Sequence, residues 1–146
     1  MIDTFYVVGD GPSKKIFENQ KSNMDIKVCL TGWLSRKQLI EIYTKCHLII
    51  LPSYASEGFP KVIAEASSYG CLPIVSNQSS IEQYIENNIS GFLLKDLSVR
   101  NIESIIKKII KDPNKLIAVS NNASKLGELF TYSRYVNRIE TEILDV

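Results

Sequence analysis

The 146-residue sequence lacks the features of several specialised classes of protein. Its apolar runs are only a few residues long, far below the roughly 20 residues that cross a bilayer, and its N-terminus has no signal-peptide pattern. The 17 basic and 16 acidic residues are spread along the chain and leave a formal charge of +1. This balance gives no reason to expect nucleic acid as a partner. We therefore expect a cytoplasmic protein.

Cysteine and histidine are also scarce. The three cysteines, Cys29, Cys46 and Cys71, are odd in number, widely spaced, and inside or beside apolar runs. This arrangement predicts reduced, buried thiols and argues against a disulfide framework or a metal site. The single histidine, His47, stands at the start of an apolar run, where a structural role is favoured over a general base.

Short β-branched and aromatic runs alternate with stretches of helical periodicity. The predicted strands are residues 5–8, 26–30, 47–51, 72–75 and 92–94. The predicted helices begin near Ser13, Ser35, Pro60 and Ser79 or Ser80, and three more cover residues 102–110, 115–126 and 132–144. This alternation predicts an α/β fold, with a mostly parallel sheet that carries helices on both faces. A chain of this length favours a single domain, residues 1–146.

Ligands of such sheets bind beyond the carboxyl ends of the strands. The loops expected to meet there are residues 9–12, 31–34, 52–60 and 76–80. In the third of these loops, Gly58 permits a positive φ or the close approach of a ligand, and Pro60 suits the first position of a helix. The amides of Lys61 and Val62 would then point outward with the positive end of the helix dipole, which suits a phosphate or diphosphate.

Two carboxylates accompany this helix start, Glu57 before it and Glu65 within it. Glu57 can accept hydrogen bonds from sugar hydroxyls, and Glu65 can accept two from a ribose diol. A structural explanation is also open, in which Glu57 only favours the helix start and Glu65 pairs with Lys61 four residues earlier. Trp33 has two explanations as well, since it could line a pocket or pack in the core.

A series of motifs follows in a specific order along nearly the whole chain. They are YVVGDGP (6–12), LTGWL (30–34), LPS (51–53), EGFPKVIAEA (57–66), GCLPIV (70–75), and Glu82 followed by NISGFL (88–93). In this order they resemble the C-terminal, donor-binding domain of retaining glycosyltransferases of the GT-B fold, often called glycosyltransferase group 1 or family 4. The resemblance implies a Rossmann-like domain that forms one half of a GT-B fold.

The resemblance also implies an activity and a set of site residues. The reaction is transfer of a hexose-type sugar from a nucleotide diphosphate donor to an acceptor hydroxyl, with retained configuration, in the synthesis of a surface glycan such as capsule or lipopolysaccharide. Glu57 is the expected catalytic residue. It would hold the donor sugar and would not act as a nucleophile. The implied contacts are Glu57 and the backbone of Gly58 and Phe59 for the sugar, Lys61 and Val62 for the diphosphate, Glu65 for the ribose, and Gly32, Trp33 and Leu34 for the base. The UDP- or GDP-sugar is a co-substrate, and no metal or other cofactor is expected.

The chain departs from the family pattern in two respects. Nothing in residues 1–146 resembles the N-terminal acceptor-binding domain, and the matching motifs begin after the strand and the Arg- and Lys-bearing loop that normally open the donor domain. Loss of that central strand predicts either a closed-up sheet or an open edge beside residues 5–8. We therefore expect a donor-binding half that is inactive alone and needs an acceptor-binding domain in cis or in trans. That domain could bring the protein to the inner face of the membrane.

Two other functions remain open at this point. The chain could be a non-catalytic subunit that completes or regulates another glycosyltransferase chain. It could also belong to a nucleotide-sugar epimerase of the same two-domain architecture.

Overall fold

A computed structural model describes residues 2–20, 25–56 and 58–144. The chain divides into two compact units, residues 1–42 and 43–146. All the strand pairs within these units are parallel, which confirms the predicted α/β class. The strands form a two-stranded sheet in the first unit and a three-stranded sheet in the second. The assignment of residues 1–146 to one domain stays a prediction.

The first unit pairs two strands and carries a helix after each. Its elements are β1 (Thr4–Val8), α1 (Lys14–Gln20), β2 (Lys27–Gly32) and α2 (Arg36–Tyr43), the last residue of which belongs to the second unit. Directly after β1, the Gly9 amide donates to the carbonyl of Gly32, the last residue of β2, at 2.9 Å. Ser35 caps α2 as predicted, because its hydroxyl accepts from the Gln38 amide while its own amide donates to the Gln38 side chain.

The second unit contains three strands in the order β3–β4–β5 and most of the helices. Its elements are β3 (Leu48–Leu51), α3 (Lys61–Ser68), β4 (Leu72–Ser76), α4 (Ile81–Tyr84), β5 (Phe92–Leu94), α5 (Val99–Lys111), α6 (Pro113–Ser124), α7 (Leu126–Leu129) and α8 (Tyr132–Glu142). The strand predictions agree with the structure to within two residues. The predicted helix 115–126 is instead two helices, α6 and α7, which meet at Lys125. Ser80 precedes α4 as predicted but makes no capping hydrogen bond through its side chain.

The central strand β4 is buried along its whole length and divides the apolar core in two. Val75 packs on one side in a cluster with Ile63 of α3 and Leu126 of α7. Leu72 and Ile74 belong to a second cluster, together with Ile109 of α5. Since successive side chains of a strand point to opposite faces, these clusters cover both faces of the sheet. The predicted placement of helices on both faces is thereby confirmed for this unit.

The N-termini of the later helices are defined by short polar side chains. Ser98, Asp112 and Thr131 each accept a hydrogen bond from the amide three residues on, at the starts of α5, α6 and α8. Asp112 ends α5, and α6 begins directly after it at Pro113, two residues before the predicted start of helix 115–126. Across the described ranges, no helix combines the length and apolar character required to span a membrane.

Candidate functional site

Serine side chains join the loops that follow β3 and β4. The Ser76 hydroxyl donates to the Ser53 carbonyl at 2.6 Å and accepts from the Ser53 amide at 3.1 Å. Farther out, the hydroxyls of Ser56 and Ser79 lie 2.7 Å apart, and Ser79 takes a positive φ of 54°. These contacts hold the two loops side by side at the carboxyl ends of the strands. For this pair of loops, the predicted meeting is confirmed.

The turn before α3 has the backbone geometry expected of a ligand-approach site. Gly58 has a φ of 29°, a region that side chains other than glycine rarely adopt. Pro60 lies one position earlier than predicted: it is the residue before the helix, with φ −66° and ψ 114°, and Lys61 is the first helical residue. The Pro60 carbonyl accepts from the Ile63 amide at 3.0 Å. The amides of Lys61 and Val62 precede that bond, at the end of the helix where backbone N–H groups point outward.

A cavity of about 150 Å³ lies between this turn and the serine-linked loops. It is lined by the apolar residues Leu51, Ile63 and Val75 and by Ser53, Gly58, Ser76, Gln78 and Ser79. Pockets that enclose a whole drug-sized ligand have roughly 300–1,000 Å³. The cavity therefore has room for one part of such a ligand, such as a single sugar or a phosphate group.

The Phe59 side chain lies in an aromatic cluster with Tyr84 and Phe130. Its ring stacks on Phe130 with centroids 4.4 Å apart and 11° between the ring planes, and it meets Tyr84 edge-on at 5.0 Å. Tyr84 and Phe130 are also 5.0 Å apart. Phe59 does not line the cavity, and the backbone contact to a sugar that the resemblance implies stays a prediction.

Glu65 is exposed on α3, and its carboxylate forms no ion pair with Lys61 or any other residue in the part of the chain that the structure describes. The structural explanation for Glu65 is therefore not realised. Burial, followed by the negative charge of Glu65, raises the pKa of Tyr43 to about 12. A neutral phenol thus stands within the electrostatic reach of this carboxylate.

The cysteines are free, as predicted, but only one is fully buried. Cys71 donates its thiol hydrogen to the carbonyls of Tyr43 and Cys46, each at 3.3 Å. Burial, and next the nearby Cys46, raises the pKa of the Cys71 thiol to about 12. Cys29 and Cys46 are half-buried, so the prediction of full burial is wrong for them.

The predicted base-binding residues lie in the first unit, at the last residue of β2 and directly after it. Gly32 has a φ of 66°, Trp33 is 82% exposed, and Leu34 is half-buried. The exposure of Trp33 rules out the core position considered for it. The remaining predicted site residue, Glu57, lies outside the described residues. In the described ranges no three His, Cys, Asp or Glu side chains are grouped to hold a metal ion.

Sequence reasoning missed the residues that shape this site without bearing charge. Ser53 and Ser76 could have been noticed as polar residues that directly follow apolar strands. Tyr84 follows the helix start predicted at Ser79 or Ser80, and Phe130 lies between two predicted helices. No local pattern indicated that their rings would contact Phe59.

Comparison with known proteins shows the family and its common architecture. The sequence profile described as glycosyl transferases group 1 matches residues 4–126. An Escherichia coli protein, UDP-Gal:alpha-D-GlcNAc-diphosphoundecaprenol alpha-1,3-galactosyltransferase, is 30% identical over 97% of this chain and 37% of its own length. The lipopolysaccharide 1,2-N-acetylglucosaminetransferase of Salmonella typhimurium is 22% identical over 89% of this chain and 34% of its own length.

Solved structures agree with this relationship at the level of the fold. The crystal structure of Anabaena HepE in complex with UDP-glucose superimposes with a TM-score of 0.80 at 23% identity, covering 97% of this chain and 40% of HepE. The present chain thus spans about two-fifths or less of the relatives named here. Since the family profile matches most of its residues, the chain belongs to the glycosyl transferases group 1 family, within the GT-B fold.

Proposed function

We propose that this chain is the donor-binding domain of a nucleotide-sugar-dependent, retaining glycosyltransferase that moves a hexose-type sugar onto an acceptor hydroxyl in surface glycan synthesis. The observation that carries the proposal is the start of α3, where outward-pointing amides and the unpaired Glu65 share one helix beside a sugar-sized cavity. The names of the E. coli and Salmonella relatives, and the UDP-glucose complex of HepE, support this substrate class.

Each part of a nucleotide sugar has a matching chemical group in this proposal. The Glu65 carboxylate accepts hydrogen bonds from the ribose diol, and the Lys61 and Val62 amides meet the diphosphate. Glu57 and the backbone of Gly58 and Phe59 hold the donor sugar. The loop Gly32–Leu34 meets the base.

In the proposed reaction the bond from the anomeric carbon to the diphosphate oxygen breaks, and a bond to the acceptor oxygen forms on the same face of the sugar. The leaving diphosphate takes the proton of the acceptor hydroxyl. The positive end of the α3 dipole stabilises the negative charge that develops on the diphosphate. We propose no metal and no other cofactor for this step.

A second domain, in cis or in trans, would supply the acceptor site. The present chain spans about a third to two-fifths of its relatives, and α8 has no buried residue. Tyr132 and Tyr135 on α8, with Ile143 just after it, are 81%, 64% and 73% exposed on one face. Such an apolar face supports the proposal, because a further domain packed there would remove it from water. The chain is therefore expected to bind a donor without turning it over.

Titration calorimetry with UDP, GDP and their common sugars tests the donor site. We expect the wild-type chain to bind at least one of these sugars, and Glu65→Ala to weaken that binding by roughly ten- to a hundredfold, because a charged hydrogen-bond acceptor is lost. Glu103→Ala is the matched control. It removes an exposed carboxylate that pairs with Lys107 on α5, on the other side of the sheet, and should leave affinity unchanged. Absence of binding heat with every ligand would contradict the proposal.

A further inference from the structure

Phe130 connects the C-terminal helices to the turn that carries the predicted sugar contacts. Its ring stacks face to face on Phe59, and both rings contact Tyr84. Phe59 directly follows Gly58, which has a positive φ and lines the cavity. The stacking of the Phe59 ring therefore limits the positions that the Gly58–Phe59 backbone can take.

Hydrogen bonds of Phe130 and of the next residue hold Phe130 in place. Its amide donates to the Gly127 carbonyl at the end of α7. The next residue, Thr131, donates its hydroxyl to the Glu128 carbonyl and accepts from the Arg134 amide, so that it joins the end of α7 to the start of α8. Phe130 is thus held between two helices, one of which packs on α3.

The turn needs such support for a physical reason. Gly58 has no side chain to anchor it, and a Cβ added there would contact nothing within 4 Å. Phe59 reaches the core cluster of Ile63 and Val75 only as a partly buried neighbour. Two of its close contacts are the rings of Tyr84 and Phe130, and such ring pairs add to the stabilisation from burial alone.

We propose that Phe130 is a positioning residue for the donor-sugar part of the site. It sets the Gly58–Phe59 backbone through ring stacking and touches no ligand itself. The family profile match ends at residue 126, so this role falls on a residue beyond the matched region. The inference rests on the proposed donor-binding function.

The test compares the affinities for UDP and for the UDP-sugar that the wild-type chain binds. We expect Phe130→Ala to weaken UDP-sugar binding by about tenfold, with UDP itself changed by less than about twofold, because the groups proposed for ribose and diphosphate remain. Phe130→Tyr keeps the ring and should restore the sugar-dependent affinity. Leu129→Ala is the matched control, since Leu129 and Phe130 are 37% and 38% exposed and Leu129 lies outside the ring cluster.

The Cα chemical shifts of Gly58 and Phe59, which follow φ and ψ more than the ring current of a neighbouring side chain, provide a second measurement that needs no ligand. Phe130→Ala should change both Cα shifts, whereas Leu129→Ala should not. Equal loss of UDP and UDP-sugar affinity, or unchanged Gly58 and Phe59 shifts in Phe130→Ala, would overturn the positioning role. If the wild-type chain binds no nucleotide sugar, the donor function fails, and the NMR measurement still decides whether Phe130 holds the turn.

Discussion

Tyr43 and Cys71 are ionisable residues whose neutral forms the fold favours. Burial is the main cause for both, and it raises each pKa to about 12, from 10.0 for Tyr43 and from 9.0 for Cys71. The unfolded chain releases these protons at lower pH than the folded chain does. Their contribution to the free energy of unfolding is therefore complete below about pH 9 and is lost as the pH rises through about 12.

We predict that the free energy of unfolding falls between about pH 9 and pH 12, and that Tyr43→Phe and Cys71→Ala each make this fall less steep. Neither replacement can ionise, so each removes one of the two linked titrations. Urea unfolding at a series of pH values would measure the effect. The slope of the free energy of unfolding against pH is compared between variants, because a loss of stability that is constant with pH does not change this slope. Slopes identical to that of the wild type in both variants would refute the prediction.

At the scale of elements, the close contact between α3 and α7 depends on the absence of a side chain at Gly127. A Cβ added there would lie 1.8 Å from the Ser68 hydroxyl oxygen and 3.0 Å from the Ser68 Cβ. The Ser68 hydroxyl is also in use, since it donates to the Ala64 carbonyl at 2.8 Å. A methyl group at residue 127 therefore requires either a new position of the Ser68 side chain or a wider separation of the two helices.

Gly127→Ala should accordingly lower the free energy of unfolding by about 1–3 kcal/mol, the usual cost of overpacking. The double variant with Ser68→Ala should lose less than the sum of the two single changes, because the closest clash is with the hydroxyl oxygen. Urea denaturation measures the free energy of unfolding of the two single variants and of the double variant. Gly11→Ala is the control, since a Cβ there would meet nothing within 4 Å. Strict additivity would show that Ser68 is not the residue in conflict.

The elements themselves followed closely from local sequence. The run Phe92–Leu94 was predicted with the bounds that the structure has, because a turn at residues 87–91 precedes it. The break at Lys125 was missed, since the apolar periodicity of 115–126 continues through it. Only the packing of Leu126 and Gly127 against α3 indicates why a new short helix starts there.

At the scale of the whole molecule, burial is unevenly distributed between the two units. Every fully buried side chain among the described residues lies at Tyr43 or beyond, and α1 has none. Strands β1 and β2 are at most half-buried, whereas β4 is buried throughout. Segments with few buried apolar contacts open more readily than core strands.

We predict that the amides of β1 and β2 exchange with deuterium faster than those of β4 in the native chain. Hydrogen exchange followed by mass spectrometry would compare peptides covering residues 4–8 and 27–32 with one covering 72–76. The same comparison after addition of a bound nucleotide sugar would report which unit the ligand protects. Equal protection of the three strands without ligand would contradict the prediction.

The sequence by itself determined the fold class, the order of the strands and helices, and the family. These features depend on periodicity, turn residues and short ordered motifs, all of which act over a few neighbouring residues. It also singled out Gly58, Lys61, Val62 and Glu65, because a glycine turn before a helix is a local pattern.

The tertiary structure alone decided what supports those residues. The two hydrogen bonds of Ser76 reach a residue 23 positions away, and the Phe59 ring is held by Tyr84 and Phe130 from later elements. Such contacts arise because folding brings separate helices and loops together, and no local pattern encodes which rings or hydroxyls will meet. The exposure of the apolar face of α8 belongs to the same category, since its amphipathic pattern would equally suit a helix packed on the core.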